Sequence, residues 1–206
     1  TTVLCTHHHH DHIGDIQYLL EEIPSLKVYC HRSDRKRIPQ ANCFVEHGDN
    51  ITIGESSGSV LHTPGHTSGS VCYHFGDNVF TGDTLFGAGC GRLFEGTAEQ
   101  MFHSLNSCIA KMGDGTRLFF GHEYTITNLE FALSVDPENL KARQRRSELS
   151  KGTVSTPTTV ELEKQTNPFL RCDSLNIMEY LRNIMNEAPQ SSLEVFRVLR
   201  ELRNTF

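Results

Sequence analysis

Thr6-His7-His8-His9-His10-Asp11-His12 is the stretch that decides how this chain is read. Four consecutive histidines resemble the scar of a purification tag. A tag is usually longer and unbroken, whereas here Asp11 and His12 follow at a junction between a strand and a helix. Read as H-x-H-x-D-H, the run has one register with Asp at the fifth place and His at the sixth, and it selects His7, His9, Asp11 and His12. His7 and His9 are two apart, so on an extended backbone they point to one side. The chain then turns and presents Asp11 and His12 to a second ion. Imidazole mixed with carboxylate suits zinc, iron or manganese. His8 and His10 are expected to point away, as supporting or surface residues.

Two ions need more ligands than one loop supplies. Three candidates stand further along, each at a strand end among glycines: His66 in Thr63-Pro64-Gly65-His66-Thr67, Asp83 in Phe80-Thr81-Gly82-Asp83-Thr84, and His122 in Gly121-His122-Glu123-Tyr124. Alone, each would more often be an ordinary loop residue. Glycine beside each of them permits the close backbone approach that a crowded site demands.

Around these motifs, apolar periodicity gives the elements. Val3-Leu4-Cys5 reads as a strand, and Ile16, Leu19, Leu20 and Ile23 as one face of a helix that Pro24 ends. Leu26–Cys30, Ile51–Ile53, Val60–Thr63, Ser70–Phe75, Asn78–Thr81 and Arg117–Phe120 are short strands, with a tight turn at Gly76-Asp77. Thr97-x-x-Gln100 is a capping box opening a helix whose face is Met101, Leu105, Cys108, Ile109 and Met112. Beyond about Thr125 no strand is expected, and helices are expected over 139–151, 174–186 and 191–203. A strand-rich α/β part thus precedes a helical one.

The 206 residues bound one good-sized domain, or one plus an appendage. A net charge of −6 argues against general nucleic-acid binding. No apolar run approaches the roughly 18–20 residues needed to span a bilayer, and no signal peptide opens the chain. The seven cysteines lack C-x-x-C spacing and are odd in number, which reads as reduced thiols in a cytosolic or matrix protein.

The words around the motifs carry a resemblance. Together with H-x-H-x-D-H, His66, Asp83 and His122, the chain resembles the metallo-β-lactamase superfamily. Gly89-Cys90-Gly91-Arg92, Phe94-Glu95-Gly96-Thr97, Gly121-His122-Glu123-Tyr124-Thr125 and Asn167-Pro168-Phe169-Leu170-Arg171 make it similar, nearly end to end, to the glyoxalase II (hydroxyacylglutathione hydrolase) family. The resemblance implies an α/β (α+β) fold, the αβ/βα sandwich, over residues 1–124, and a helical substrate-binding domain over 125–206. It implies two divalent metal ions, zinc ahead of iron or manganese. His7, His9 and His66 would hold one, Asp11, His12 and His122 the other, and Asp83 would bridge them. Asp11 and Asp83 are the carboxylates assigned to catalysis. The implied reaction, part of methylglyoxal detoxification, is attack of a metal-bridging hydroxide on S-D-lactoylglutathione, releasing glutathione and D-lactate. The thiolate leaving group, of pKa near about 8.5, needs no strong acid.

For the substrate, the resemblance implies Arg92, Phe94, Tyr124, Asn128, Arg200 and Arg203. Arg200 and Arg203 share a helical face, and glutathione carries two carboxylates for such cations to meet. Arg92 stands where the family commonly has Lys, Phe94 where it has Tyr, and His10 where it has Trp. The family also has strands ahead of the first metal motif that this sequence does not show, so an N-terminally incomplete sandwich with exposed sheet edges is expected. A small-molecule thioester as the partner, no nucleic acid, no membrane, a monomer and the cytoplasm (or the mitochondrial matrix, given an upstream targeting segment) complete the expectations. The competing readings are an iron-dependent glutathione persulfide dioxygenase and an inactive binding or regulatory relative. The helical tail argues against the first, and the full ligand set against the second.

Overall fold

The computed structural model describes residues 1–149, 154–185 and 187–206. The N-terminal elements are β1 (Thr2–Leu4), α1 (His10–Ile13), α2 (Ile16–Glu22), β2 (Lys27–His31) and β3 (Cys43–Val45). They form a three-stranded parallel sheet in the order β1-β2-β3. Ile16 of α2 packs with Cys5, Leu26, Val28 and Cys30 on the outer face of this sheet.

A second sheet of six strands follows from β4 (Asn50–Ile53), β5 (Ser56–His62), β6 (Val71–Phe75), β7 (Asn78–Gly82), β10 (Arg117–Phe120) and β11 (Thr158–Thr159). Its order is β11-β10-β7-β6-β5-β4, antiparallel except for the β7–β10 pair. Between β7 and β10 the chain makes a small hairpin, β8 (Leu85–Phe86) with β9 (Gly89–Cys90), and the helix α3 (Ala98–His103). The alternation along β6 sorts the layers, as expected for a strand buried on both sides. Val71 and Tyr73 face Leu4 and Tyr29 of the first sheet, while Cys72 faces the helices. Tyr73 also ties the two sheets, its hydroxyl donating to the Cys5 carbonyl at 2.8 Å.

The helices α4 (Thr125–Val135), α5 (Leu140–Leu149), α6 (Val160–Thr166), α7 (Leu175–Met185) and α8 (Ser192–Thr205) complete the chain. The largest core lies where Val79 and Leu118 meet Met101, Leu105, Phe131, Phe169, Phe196 and Leu199, all buried. The expected helices over 139–151 and 174–186 reach Ser150, Lys151 and Asn186, which lie outside the described residues.

Two expectations change. The face beginning at Met101 does not run as one α-helix to Met112: after α3 it widens to a π turn over Ser104–Cys108 and tightens over Ile109–Lys111. Within that segment the buried Ser104 donates to the Pro64 carbonyl at 2.8 Å, bracing the loop that carries His66. A strand does occur beyond Thr125, the two-residue β11, too short to show period-two patterning. The helix α4 was not foreseen: its buried face mixes Thr125 and Asn128 with Leu129, Phe131, Ala132 and Val135, while Ile126 stands exposed, so the one-sided polarity that announces a helix is blurred.

Between the two sheets a cleft of about 640 Å³ opens beside β1, lined by Leu4, Tyr73, Phe75, Phe80 and Phe119 among others. Among the described residues β1 pairs only with β2.

Sheet and helices are joined through a buried ion pair. Glu163 of α6 meets Arg145 of α5 at 2.8 Å, and its other oxygen accepts the Ala88 N–H at 2.8 Å. Removing one partner of such a pair strands a buried charge. Glu163→Ala is therefore expected to cost about 3–5 kcal/mol of stability, read as a lower midpoint in denaturant titration.

Candidate metal centre and adjoining cavity

The candidate ligands gather on one rim of the sandwich. His7 and His9 lie in the loop after β1, Asp11 and His12 in α1, His66 in the loop after β5, and Asp83 and His122 just past the ends of β7 and β10. Strand ends spaced across a sheet thus deliver side chains far apart in sequence to one place.

His7 Nε2 stands 3.1 Å from His9 Nδ1, which is 3.0 Å from His66 Nε2. His12 Nε2 is 3.1 Å from His122 Nε2, which is 3.1 Å from Asp11 Oδ2. Asp83 lies between these sets: Oδ1 is 3.2 Å from His12 Nε2, and Oδ2 is 3.5 Å from His66 Nε2 and 3.6 Å from His122 Nε2. Three groups could therefore hold an ion: His7, His9 and His66; His7, His12 and Asp83; Asp11, His12 and His122. All seven sequence candidates are brought together.

The chemistry of these donors fits a cation. Ligand atoms about 2.0–2.1 Å from a tetrahedral zinc ion are separated by about 3.3 Å, close to the spacings seen. The His66 ring is oriented by a 2.8 Å contact from Nδ1 to the Arg92 carbonyl. A carbonyl only accepts, so Nδ1 carries the proton and Nε2 offers its lone pair to the cluster. Burial, followed by the neighbouring imidazoles, lowers His7 to about 2, keeping it neutral. Burial likewise lowers His9 and His66. His12 moves the other way: burial pushes it down, but the hydrogen bond and charge of Asp83 outweigh that. Asp83 Oδ1 is buried without a well-aligned hydrogen-bond partner. Glycine makes room for this density. A Cβ on Gly121 would stand 2.6 Å from Asp83 Oδ1, and one on Gly91 would stand 2.1 Å from the Asp83 carbonyl and 2.9 Å from His66 Nδ1.

A cavity of about 380 Å³ adjoins the cluster, and Arg92, Phe94, Tyr124, Asn128, Arg200 and Arg203 all line it. Phe94, 62% exposed, sets its ring edge-on to His9 and His66. Tyr124 stacks on His122 at 5.5 Å. Asn128 is buried, donating to the Gly87 carbonyl and accepting from Arg203. Arg200 is only 4% exposed, and its guanidinium donates to the Cys90 carbonyl at 2.9 Å and to Asn204. Burial, then the nearby Arg200 and Arg92, lowers Arg203. Of the two histidines expected to point away, His10 has a side chain 99% exposed, while His8 is tucked against Asp34 and Glu95. Sequence reasoning missed those two acids, and also Glu163 and Asn167, which hold the hairpin wall. None of them stands in a motif with metal-ligand spacing.

Residues 1–122 match the family model of the Metallo-beta-lactamase superfamily, and residues 123–206 match Hydroxyacylglutathione hydrolase C-terminus. A hydroxyacylglutathione hydrolase of Gloeothece citriformis is 42% identical, covering 100% of this chain and 81% of the relative. One from Maricaulis maris is 43% identical, covering 100% and 80%. Among solved structures, ETHE1 from Myxococcus xanthus aligns with TM-score 0.61 and 29% identity over 100% of this chain and 77% of that one. TTHA1623, solved in a di-iron-bound form, aligns at 0.55 and 28% identity over 82% and 77%. Fold and ligand pattern define a metal-dependent sandwich of the metallo-β-lactamase type, which implies a divalent metal pair that these groups could hold. Within that superfamily, the chain belongs to the hydroxyacylglutathione hydrolases.

The crowding at Gly91 gives a test. Gly91→Ala is expected to displace Asp83 or His66 and lower the zinc retained after dialysis, while far-UV circular dichroism stays that of the wild type.

Proposed function

We propose that the chain is a thioester hydrolase converting S-D-lactoylglutathione and water to glutathione and D-lactate. The observation that carries this reading is the sharing of one wall by the His/Asp cluster and a cavity holding three guanidinium groups, Arg92, Arg200 and Arg203. The names of the relatives support it.

In this reading His7, His9 and His66 would hold one cation and Asp11, His12 and His122 the second, with Asp83, which stands between the two sets, serving both. Zinc suits the imidazole-rich set, with iron and manganese as the competitors. When bound, such a pair lowers the pKa of a shared water from about 15.7 toward neutrality and draws electrons from the thioester carbonyl.

The chain's own residues do the rest. Arg92 and Arg203 meet the carboxylates of glutathione, with Arg200 beneath them fixing the Cys90–Gly91 backbone. Phe94 and Tyr124 flank the bound thioester on either side of the histidines, limiting its approach to one direction. The departing thiolate is stable enough to leave without a strong general acid. Cys90 does not compete as a nucleophile: burial raises its thiol above the usual range, more than Arg200 lowers it. No helix among the described residues is long and apolar enough to cross a membrane, and a monomer working in the cytoplasm accords with this reading.

Hydrolysis of S-D-lactoylglutathione is expected to stop on chelation and return with added zinc. Metal-loaded protein that leaves the thioester intact would refute the proposal. Asp83→Ala is expected to abolish turnover. Arg203→Ala is expected to raise KM about tenfold, the scale of one charged hydrogen bond, with a smaller change in kcat.

A further inference from the structure

His8 sits between two candidate ligands in the chain and faces the other way. Its ring packs edge-on to His9, with centroids 5.2 Å apart. Its two nitrogens look toward carboxylates from separate segments, Nδ1 3.4 Å from Asp34 Oδ2 and Nε2 3.3 Å from Glu95 Oε1. Asp34 is fully buried, at the end of the short 3-10 turn Arg32–Asp34. A buried carboxylate needs cationic or donor partners, or its desolvation goes uncompensated. Here Arg37 supplies one, its guanidinium 3.5 Å from Asp34 Oδ1, while His8 packs against Asp34 Oδ2 without a well-aligned hydrogen bond. Space for Asp34 is left by Gly69, where a Cβ would stand 2.4 Å from the carboxyl group.

The same Arg37 closes a ring of contacts. It donates to Glu95 Oε2 at 2.8 Å and to Ser68 Oγ at 3.2 Å. Ser68 in turn donates to Glu95 from its backbone N–H at 2.8 Å and from its hydroxyl at 2.9 Å. Ser68 is two residues past His66, and Glu95 follows Phe94, which lies edge-on to His9 and His66. One polar network therefore grips, from behind, the His7–His9 loop, the His66 loop and the aromatic wall of the cavity.

We infer that His8, clamped by Asp34 and Glu95, is a positioning residue that sets the spacing of His7, His9 and His66 and so the affinity of that group for its cation. The inference rests on those three residues being ligands. The network acts on the ligands through backbone and ring packing, so its loss should loosen one ion and spare the other. Outer partners of metal ligands commonly govern affinity by about 10- to 100-fold.

Each group can be read alone by disabling the other. In a His122→Ala background, His8→Ala and Glu95→Gln are each expected to weaken zinc binding about 10- to 100-fold in competition with a chromogenic chelator. In a His66→Ala background, His8→Ala is expected to leave affinity within about twofold. His8→Gln, which keeps a donor facing a carboxylate, is expected to recover part of the loss. Unfolding midpoints of the metal-free variants, measured in parallel, separate loosened ligands from a loosened fold. An unchanged affinity in the His122→Ala background, or an equal loss in both backgrounds, overturns the inference. If neither parent binds zinc, the ligand reading itself fails and takes this inference with it.

Discussion

The constraint on which this structure turns is the crowding of lone pairs. His9 Nδ1 lies 3.1 Å from His7 Nε2 and 3.0 Å from His66 Nε2, and Asp83 adds carboxylate oxygens beside them. The His66 lone pair is aimed inward because its other nitrogen is committed to the Arg92 carbonyl. Protonation is a poor escape, since burial first and neighbouring imidazoles second hold His7 neutral. Acceptors that face each other gain little from one another, so the scaffold must hold them there. It does so with strand ends, whose directions are fixed by sheets, and with glycines that let backbone pass within van der Waals contact of the ligands. The exposure of His10 and the enclosure of His8 follow from the same loop: alternate residues must point away from the cluster, and only one of them finds partners there.

A second dependence runs from the helices to the hairpin of β8 and β9. This hairpin walls the cavity, and Ala88 within it has a φ of +53°, a left-handed conformation that residues with a Cβ seldom adopt. Its peptide groups are accounted for one by one from the C-terminal elements. Glu163 accepts the Ala88 N–H, Asn167 donates to the Gly89 carbonyl, Asn128 to that of Gly87, and Arg200 to that of Cys90. The helical part is thus a structural half of the site and not an appendage to it. That explains why Asn128 of α4, Glu163 of α6, Asn167 just past it and Arg200 of α8 are buried polar side chains at positions where an ordinary packing helix would present aliphatic ones.

How much of this was legible in the sequence depended on how local each signal was. The candidate ligands could be picked out as a set that the fold brings together because metal chemistry demands particular residue types at fixed spacing, and because glycine beside them records the tight approach. The strands β6, β7 and β10 were legible from short apolar runs between glycines. The helix α4 was not, since its buried face includes the polar Thr125 and Asn128 while Ile126 stands exposed on the outer side, which blurs the polar stripe that reveals a helix. The break after α3 was not either: Met101, Leu105 and Ile109 keep helical spacing through the π turn, so periodicity alone cannot report it. Asp34 and Glu95 were invisible for a different reason. Asp34 ends a short 3-10 turn in no motif, Glu95 stands in Phe94-Glu95-Gly96-Thr97 without metal-ligand spacing, and their proximity to His8 exists only after three segments meet.

The two halves of the cavity obey one rule with opposite signs. On one side neutral acceptors are pressed together where a cation relieves them. On the other, Arg92, Arg200 and Arg203 are close enough that, after burial, their mutual repulsion lowers Arg203, and an anion relieves that strain. The protein carries a net charge of −6, so these cations are gathered locally against the overall balance. Like charges held together before a ligand arrives need no reorganisation when it does, and fixed polar groups in a partly dry cavity act more strongly than the same groups in water. Arg200, spent largely on the Cys90 backbone, keeps this arrangement rigid, and Arg92 and Arg203 remain the guanidiniums freer to meet a carboxylate. A ligand with anionic groups at one end and an electrophilic carbonyl at the other would satisfy both halves at once, so affinity for its charged end becomes orientation of its reactive end.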